Sequence, residues 1–111
     1  MKTMVNSQPA AITESGGKIS SMLLRKRKTT VIHELAEKIM MTEEMVEGYC
    51  FTFNYSEEVL FRLAEFIKLE KELCPFFDFT LSTSRNARTL SLSLEGPEGT
   101  KEFIRHELEM A

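Results

Sequence analysis

The side chains with the most chemistry to offer in this sequence are two cysteines, Cys50 and Cys74, and two histidines, His33 and His106. Thiolates and imidazoles bind zinc and softer metals, and either group can serve in nucleophilic catalysis when a neighbour positions it. The spacing does not suit a metal site, because neither cysteine has a Cys-x-x-Cys or His-x-x-x-His companion. No nucleophile, base and oxyanion donor can be named together from the sequence, so catalysis is not indicated either. We therefore expect no catalytic residue, no cofactor and no preformed metal site, and we retain Cys74 and Cys50 only as candidate ligands of a soft metal.

Cys74 stands directly before Pro75, which ends the preceding helical pattern because a residue before proline is pushed out of helical geometry. The negative end of the helix dipole and the nearby carboxylates of Glu70 and Glu72 disfavour a thiolate there. The sequence thus predicts a structural cysteine that closes the core, with a ligand or redox role as the alternative.

Three segments have apolar residues at helical spacing. The first runs from about Ser20 to Lys38, and the second follows the favourable N-cap residue Ser56. The third opens at Gly96-Pro97-Glu98, where proline suits the first position of a helix. For the second helix the pattern predicts a buried stripe, bordered by Val59 and Phe66, that consists of Leu60, Leu63, Ala64, Ile67 and Cys74.

Two segments between these helices alternate apolar and polar residues with the period of two that is typical of half-buried strands. The first, residues 40–53, has a turn at Glu47-Gly48 and an aromatic face, and the second, residues 77–94, has a Phe and Leu face. One hairpin-plus-helix unit cannot bury its own apolar face, whereas two units joined edge to edge can. We therefore predict an α+β fold, in the order α-ββα-ββα, with a four-stranded antiparallel sheet and the helices packed on one face.

The chain of 111 residues fits one domain. Residues 1–17 show no periodicity and are predicted to be a flexible N-terminal tail. Residues 18–111 form the predicted domain, built from two hairpin-helix units, 39–74 and 76–110. Whether the first helix packs on its own chain or on another copy is left open at this point. No apolar run is long enough to span a membrane, and residues 1–20 lack the apolar region of a signal peptide, so we expect a cytoplasmic protein.

The predicted sheet has a polar face of small side chains opposite its apolar one. Its members are Cys50, Thr52, Asp78, Thr80, Ser82, Ser91 and Ser93. An ordinary solvated face is one interpretation, since antiparallel sheets commonly show one side to water. The other is a platform that a partner can approach closely, with Thr52, Asp78, Thr80, Ser82, Ser91 and Ser93 as the interaction face. Catalysis is the least favoured interpretation, because neither histidine falls on this face to serve as a base.

Charge is divided unevenly along the chain. Residues 1–30 hold six Lys and Arg against one acid, and residues 31–111 hold eight against sixteen. Four of the basic residues are consecutive: Arg25, Lys26, Arg27 and Lys28. They are predicted to wrap around a solvated helical turn that complements the acidic body, or to grip the acidic surface of another copy. Nucleic acid is not an expected partner, because the acidic body repels polyanions.

Two segments resemble a family of small bacterial proteins with no established activity. Residues 69–76, Leu-Glu-Lys-Glu-Leu-Cys-Pro-Phe, resemble its Leu-Glu-Arg-x-Cys-Cys-Pro-Phe segment, and residues 96–103 resemble its Gly-Pro-Glu-Gly-x-Lys-Glu-Phe segment. The resemblance also includes Gly48-Tyr49 of the first hairpin, spans about residues 45–104 and implies the same fold unit. Leu73 stands where the family has the first cysteine of its pair, so the chelating thiol pair that the family motif offers is not complete here.

The function class that these observations favour is a non-enzymatic protein-interaction or self-association module, with a homodimer or another protein as the partner and no membrane contact. The alternative is a small-ligand, soft-metal or thiol sensor that uses Cys74, with Cys50 as a further ligand. An enzyme ranks last.

Overall fold

The computed structural model describes residues 10–110, with side chains from residue 21 onward. Its elements follow the predicted order α-ββα-ββα, which confirms the α+β fold class. In chain order they are α1 (Ala10–Ala36), β1 (Ile39–Glu44), β2 (Gly48–Asn54), α2 (Glu57–Leu73), β3 (Asp78–Ser84), β4 (Thr89–Glu95) and α3 (Thr100–Leu108).

The four strands form one antiparallel sheet in the order β1-β2-β4-β3. Each hairpin supplies one central and one edge strand, and the two hairpins meet where β2 pairs with β4. In that pair Phe51 lies opposite Leu92 and Phe53 opposite Leu90, so the apolar residues of the two hairpins share one face. This confirms that the two units are joined edge to edge.

The core lies between that apolar face and the three helices. The sheet contributes Tyr49, Phe51, Phe53, Leu90, Leu92 and Leu94, all buried. The helices contribute Val31, Ile32 and Leu35 from α1, Val59, Leu63, Phe66 and Leu69 from α2, and Ile104 from α3. α1 therefore packs onto its own chain, which answers the question that the sequence left open.

The helix α1 begins at Ala10, earlier than the predicted start near Ser20. Residues 10–17, predicted as part of a flexible tail, are helical, and residues 1–9 of that tail lie outside the described residues. Glycine costs about 1 kcal/mol in a helix interior, but the Gly16-Gly17 pair does not end α1, because an established helix gains a hydrogen bond for each residue that it adds. None of the described helices is both long enough and apolar enough to cross a membrane.

The buried stripe of α2 differs from the predicted one. Its centre consists of Val59, Leu63, Phe66 and Glu70. Ala64 is exposed, and Leu60 and Ile67 are only half-buried. The periodicity located the apolar sector of the helix, which is wider than the sector that the sheet and α1 cover. One side of α2 therefore keeps apolar residues that the core covers only in part.

α2 has the predicted N-cap residue and ends before Pro75 as predicted, whereas α3 begins later than predicted. The Ser56 side-chain oxygen accepts a hydrogen bond from the Val59 N–H at 3.0 Å, and Cys74 occupies the C-cap. α3 begins at Thr100, so Pro97 lies in the preceding turn and not at the first helical position. The Thr100 hydroxyl donates to the Pro97 carbonyl at 2.6 Å, and Gly99 adopts a φ of 95°, so that a tight turn precedes the helix.

Candidate functional site

The side of the sheet opposite the three helices is uncovered in the described part of the chain, and we call it the open face. Its side chains on the three strands β2, β3 and β4 are half-buried or exposed, and they include Cys50, Thr52, Asp78, Thr80, Ser82, Ser91 and Ser93. The structure therefore brings every predicted residue of the polar face onto one surface.

The strand register aligns short side chains of the open face, all hydroxyls except the Cys50 thiol, in two rows that each cross three strands. Directly opposed residues in an antiparallel pair have Cβ atoms about 4.5–5.5 Å apart. The rows are Thr52–Ser91–Ser82 and Cys50–Ser93–Thr80. Because these side chains are short, another molecule can approach the sheet closely along both rows.

Among the described residues no histidine lies on the open face, and its two carboxylates on β3 and β4, Asp78 and Glu95, are directly opposed in the strand register. His33 and His106 are exposed on α1 and α3, the helices that cover the opposite side of the sheet. A serine or threonine hydroxyl is a weak nucleophile unless a base takes its proton. Neither His33 nor His106 is therefore placed to activate a hydroxyl of the open face.

The two edges of the sheet differ in how they are protected. On β1 the pairing shifts between Ile39 and Met41, which makes Met40 a bulge, and Glu43 and Glu44 occupy the end of the strand. Glu44 is also held by Lys101, whose Nζ lies 2.6 Å from the carboxylate. Bulges and charges are the features by which edge strands avoid pairing with other chains.

The other edge, β3, has no bulge, and its one charged residue is Asp78 at the first position of the strand. It pairs with β4 from Asp78 to Ser84 without a shift in register. From Phe79 to Ser84 it contains no charged residue, no proline and no glycine. A regular, uncharged edge strand of this kind offers a row of backbone N–H and C=O groups to a partner strand.

The predicted basic cluster divides into an exposed and an internally paired half. Arg25 and Lys26 are exposed, whereas Arg27 makes a bidentate contact to Glu65 of α2. In that contact Nε lies 2.6 Å from Oε2 and the terminal guanidinium nitrogen 2.9 Å from Oε1. Lys28 is buried, which corrects the prediction of a wholly solvated turn. The basic cluster therefore links α1 to α2 of the same chain.

Lys28 is at the centre of a buried charge cluster that sequence reasoning missed. Its Nζ lies 2.9 Å from Glu70 Oε1, 3.3 Å from Glu107 Oε2 and 5.6 Å from the centre of the Phe103 ring. Burial lowers the lysine pKa, but the hydrogen bonds and charges of the two glutamates outweigh this and raise it above 10.5. The cluster ties all three helices together. In the sequence, the one indication of this cluster is that Glu70 continues the helical spacing of the apolar residues Val59, Leu63 and Phe66.

Cys74 lies half-buried at the C-terminal end of α2, packed against the core. Burial raises the pKa of its thiol, and the neighbouring Glu70 carboxylate raises it further. The thiolate is therefore disfavoured, as the helix-end position predicted. This arrangement is typical of a packing cysteine and not of a reactive one.

The two segments that carry the family resemblance meet in space. A surface groove is lined by Phe76 at the end of the first segment, by the adjacent Phe77, and by Pro97, Thr100 and Phe103 from the second. Gly96 allows this contact, because a Cβ at that position would lie 2.9 Å from the Phe77 ring. The resemblance thus covers residues that form one packing unit.

The two cysteines are not brought together. Cys50 is on the open face, paired with Ser93, whereas Cys74 is packed among core residues on the helix side of the sheet. Among the described residues, no group of three potential ligands is arranged to hold a metal ion.

Comparison with known proteins gave no relatives: no family model matches the chain, and no curated protein or solved structure matches it.

Proposed function

We propose that this chain is a non-enzymatic interaction module that associates with a second copy of itself by pairing β3 of one copy with β3 of the other. The contrast between the two sheet edges carries the proposal. β1 is bulged and bears Glu43 and Glu44, whereas β3 is regular and uncharged from Phe79 to Ser84. Proteins protect an edge that must stay free, so an unprotected edge indicates one that a partner strand covers.

The sequence of β3 is compatible with its own antiparallel pairing. A two-fold axis at Leu81 would place Thr80 opposite Ser82 of the second copy and Asp78 opposite Ser84 of the second copy. No like charges would face each other, and opposed Thr and Ser hydroxyls can form hydrogen bonds. The product would be one continuous sheet made of two four-stranded halves, with the two open faces on the same side.

The alternative function, a soft-metal or thiol sensor, gains no support from the geometry. Cys50 and Cys74 lie on opposite sides of the sheet, and the pKa of Cys74 is raised. We place the module in the cytoplasm of a bacterium, because the segments at residues 69–76 and 96–103 resemble bacterial proteins and because free cysteines suit a reducing compartment.

The proposal can be tested with double lysine substitutions at exposed positions of each edge strand. Thr80→Lys/Ser82→Lys gathers four lysines around the proposed two-fold axis, whereas Met41→Lys/Glu43→Lys makes a matched change on β1. All four positions are exposed, so both variants should fold like the wild type. In sedimentation velocity we expect the wild type and the β1 variant to be dimers and the β3 variant to be a monomer.

A wild-type protein that stays monomeric up to its highest soluble concentration would overturn the proposal. So would a β3 variant that dimerises as well as the wild type. Dissociation of the β1 variant, with the β3 variant still dimeric, would assign the interface to the other edge.

A further inference from the structure

We infer that the second copy also packs its α2 against α2 of the first, through an apolar strip that the core covers only in part on this helix. The strip consists of Leu60, Ala64 and Ile67. This inference rests on the proposed pairing of β3 and adds a second layer to that interface, made of helices instead of strands.

The strip faces the β3 edge of the molecule. Two of the α2 residues that contact α1 are Arg62, which binds Glu34 at 2.8 Å, and Glu65, which binds Arg27. At 100° per residue, Leu60, Ala64 and Ile67 lie on the opposite side of the helix from these two positions. They point away from α1 and toward the edge where the sheet ends.

Contacts between α2 and β3 locate the centre of the strip along the edge. Leu60 lines a surface pocket together with Thr83, and the Phe66 ring packs edge-to-face on the Phe79 ring with centroids 6.3 Å apart. α2 therefore runs antiparallel to β3. Four helical residues advance about 6 Å, as do about two strand residues, which puts Ala64 above Leu81. The two-fold axis proposed for the strands thus passes beside the smallest residue of the strip.

The core-facing residues of β3 are also incompletely covered. Phe79 and Leu81 are half-buried, whereas Leu90, Leu92 and Leu94 of the neighbouring strand are all 4% exposed or less. A second copy that adds its own β3 and α2 at this edge would bury both residues. Partly exposed apolar side chains on both α2 and β3 at one edge are the kind of surface that a partner removes from water.

The charges that flank the strip suit an antiparallel pair of identical helices. Glu57 lies two turns before Ala64 and Lys71 lies two turns after it, both exposed. A two-fold axis at Ala64 brings Glu57 of each copy opposite Lys71 of the other. Because the charges that flank the strip are complementary to those of a second copy, we assign the strip to a second copy and not to an unrelated helix.

Ala64 offers a direct test because it is exposed in the single chain, so a larger side chain there should leave folding intact. Ala64→Glu would press two carboxylates together at the axis, and we expect its dimer to dissociate at least about tenfold more readily than the wild type in sedimentation equilibrium. Circular dichroism should give an unchanged spectrum for this variant.

Ala64→Cys should form a disulfide-linked dimer under mild oxidation. Lys68→Cys is the matched control on the same helix, since its two copies would be separated by eight helical residues, about 12 Å along the axis, and should not cross-link. A dimer with an unchanged dissociation constant in Ala64→Glu, without cross-linking in Ala64→Cys, would overturn the helix contact alone. A monomeric wild type would overturn both this inference and the proposed pairing of β3.

Discussion

Lys28 Nζ donates a hydrogen bond to Glu70 Oε1 across 2.9 Å, and the two side chains are 7% and 1% exposed. A buried ion pair of this kind costs desolvation on both sides, and it is strongly destabilising to break only one half of it. The pair therefore makes the contact between α1 and α2 specific, because Lys28 has its partner only when the two helices are in this register.

Lys28→Met should remove about 3–5 kcal/mol from the free energy of unfolding, because it leaves the Glu70 carboxylate buried without its cation. Urea unfolding followed by circular dichroism measures this. Lys28→Met/Glu70→Leu should recover most of the loss, since an apolar pair replaces both charges. A double variant no more stable than the single one would contradict this interpretation of the cluster.

The Arg27–Glu65 pair predicts a pH dependence of stability. The Arg27 hydrogen bond lowers the pKa of Glu65 below 4.5, so the folded state binds this proton less readily than the unfolded state. The stabilisation is then present above pH 4.5 and is lost as the pH falls through the folded-state pKa. Both partners are partly exposed, so Glu65→Gln should cost about 1 kcal/mol or less near neutrality. The difference from the wild type should disappear in acid; a difference that grows in acid would have the wrong sign.

Gly48 should tolerate no side chain, because a Cβ there would lie 1.8 Å from the Leu94 carbonyl oxygen on the neighbouring strand. Gly48→Ala is expected to destabilise the fold by at least about 1–3 kcal/mol. Gly99→Ala is a useful comparison, since its Cβ would meet nothing within 4 Å and only the positive φ of 95° opposes it. Thermal unfolding of the two variants should show the larger loss at Gly48, and the reverse order would be inconsistent with the strand packing.

Cys74 should react slowly with thiol reagents in the native protein, because burial and Glu70 raise its pKa. The measurement uses Cys50→Ser, in which only Cys74 can be labelled. We expect its labelling rate to be well below that of the same protein unfolded in urea. Native labelling as fast as labelling of the unfolded chain would show that the thiol is accessible and would reopen its assignment as a packing residue.

Residue patterns were enough to predict the sheet and its two faces. Tyr49, Phe51 and Phe53 alternate with small polar residues, and a strand has only two sides on which to place them. The same alternation recurs from Leu90 to Leu94, so the pattern fixes which face each strand buries once the two hairpins are joined.

The helix surfaces could not be derived in the same way. A helix can turn about its own axis, so the periodicity of α2 does not say which part of its apolar sector meets the sheet. Lys28 and Glu70 were not recognised because charged residues are buried only when a partner compensates them, and that partner is 42 positions away in the sequence. The position of α1 determines both which part of α2 is buried and which charged residues pair. That position depends on tertiary packing, which the local sequence pattern does not show.

Disulfide cross-linking tests the pairing of the two β3 strands most directly. One variant carries Thr80→Cys and the other Ser82→Cys, each in the Cys50→Ser background, and the two proteins are mixed in equal amounts. Antiparallel pairing of β3 about Leu81 places these two positions opposite each other across the interface, at a distance that suits a disulfide. We predict that mild oxidation yields mainly the mixed dimer of the two variants, with little of either homodimer. Cross-linking that shows no preference for the mixed dimer, or no cross-linking at all, would contradict the pairing of the two β3 edges.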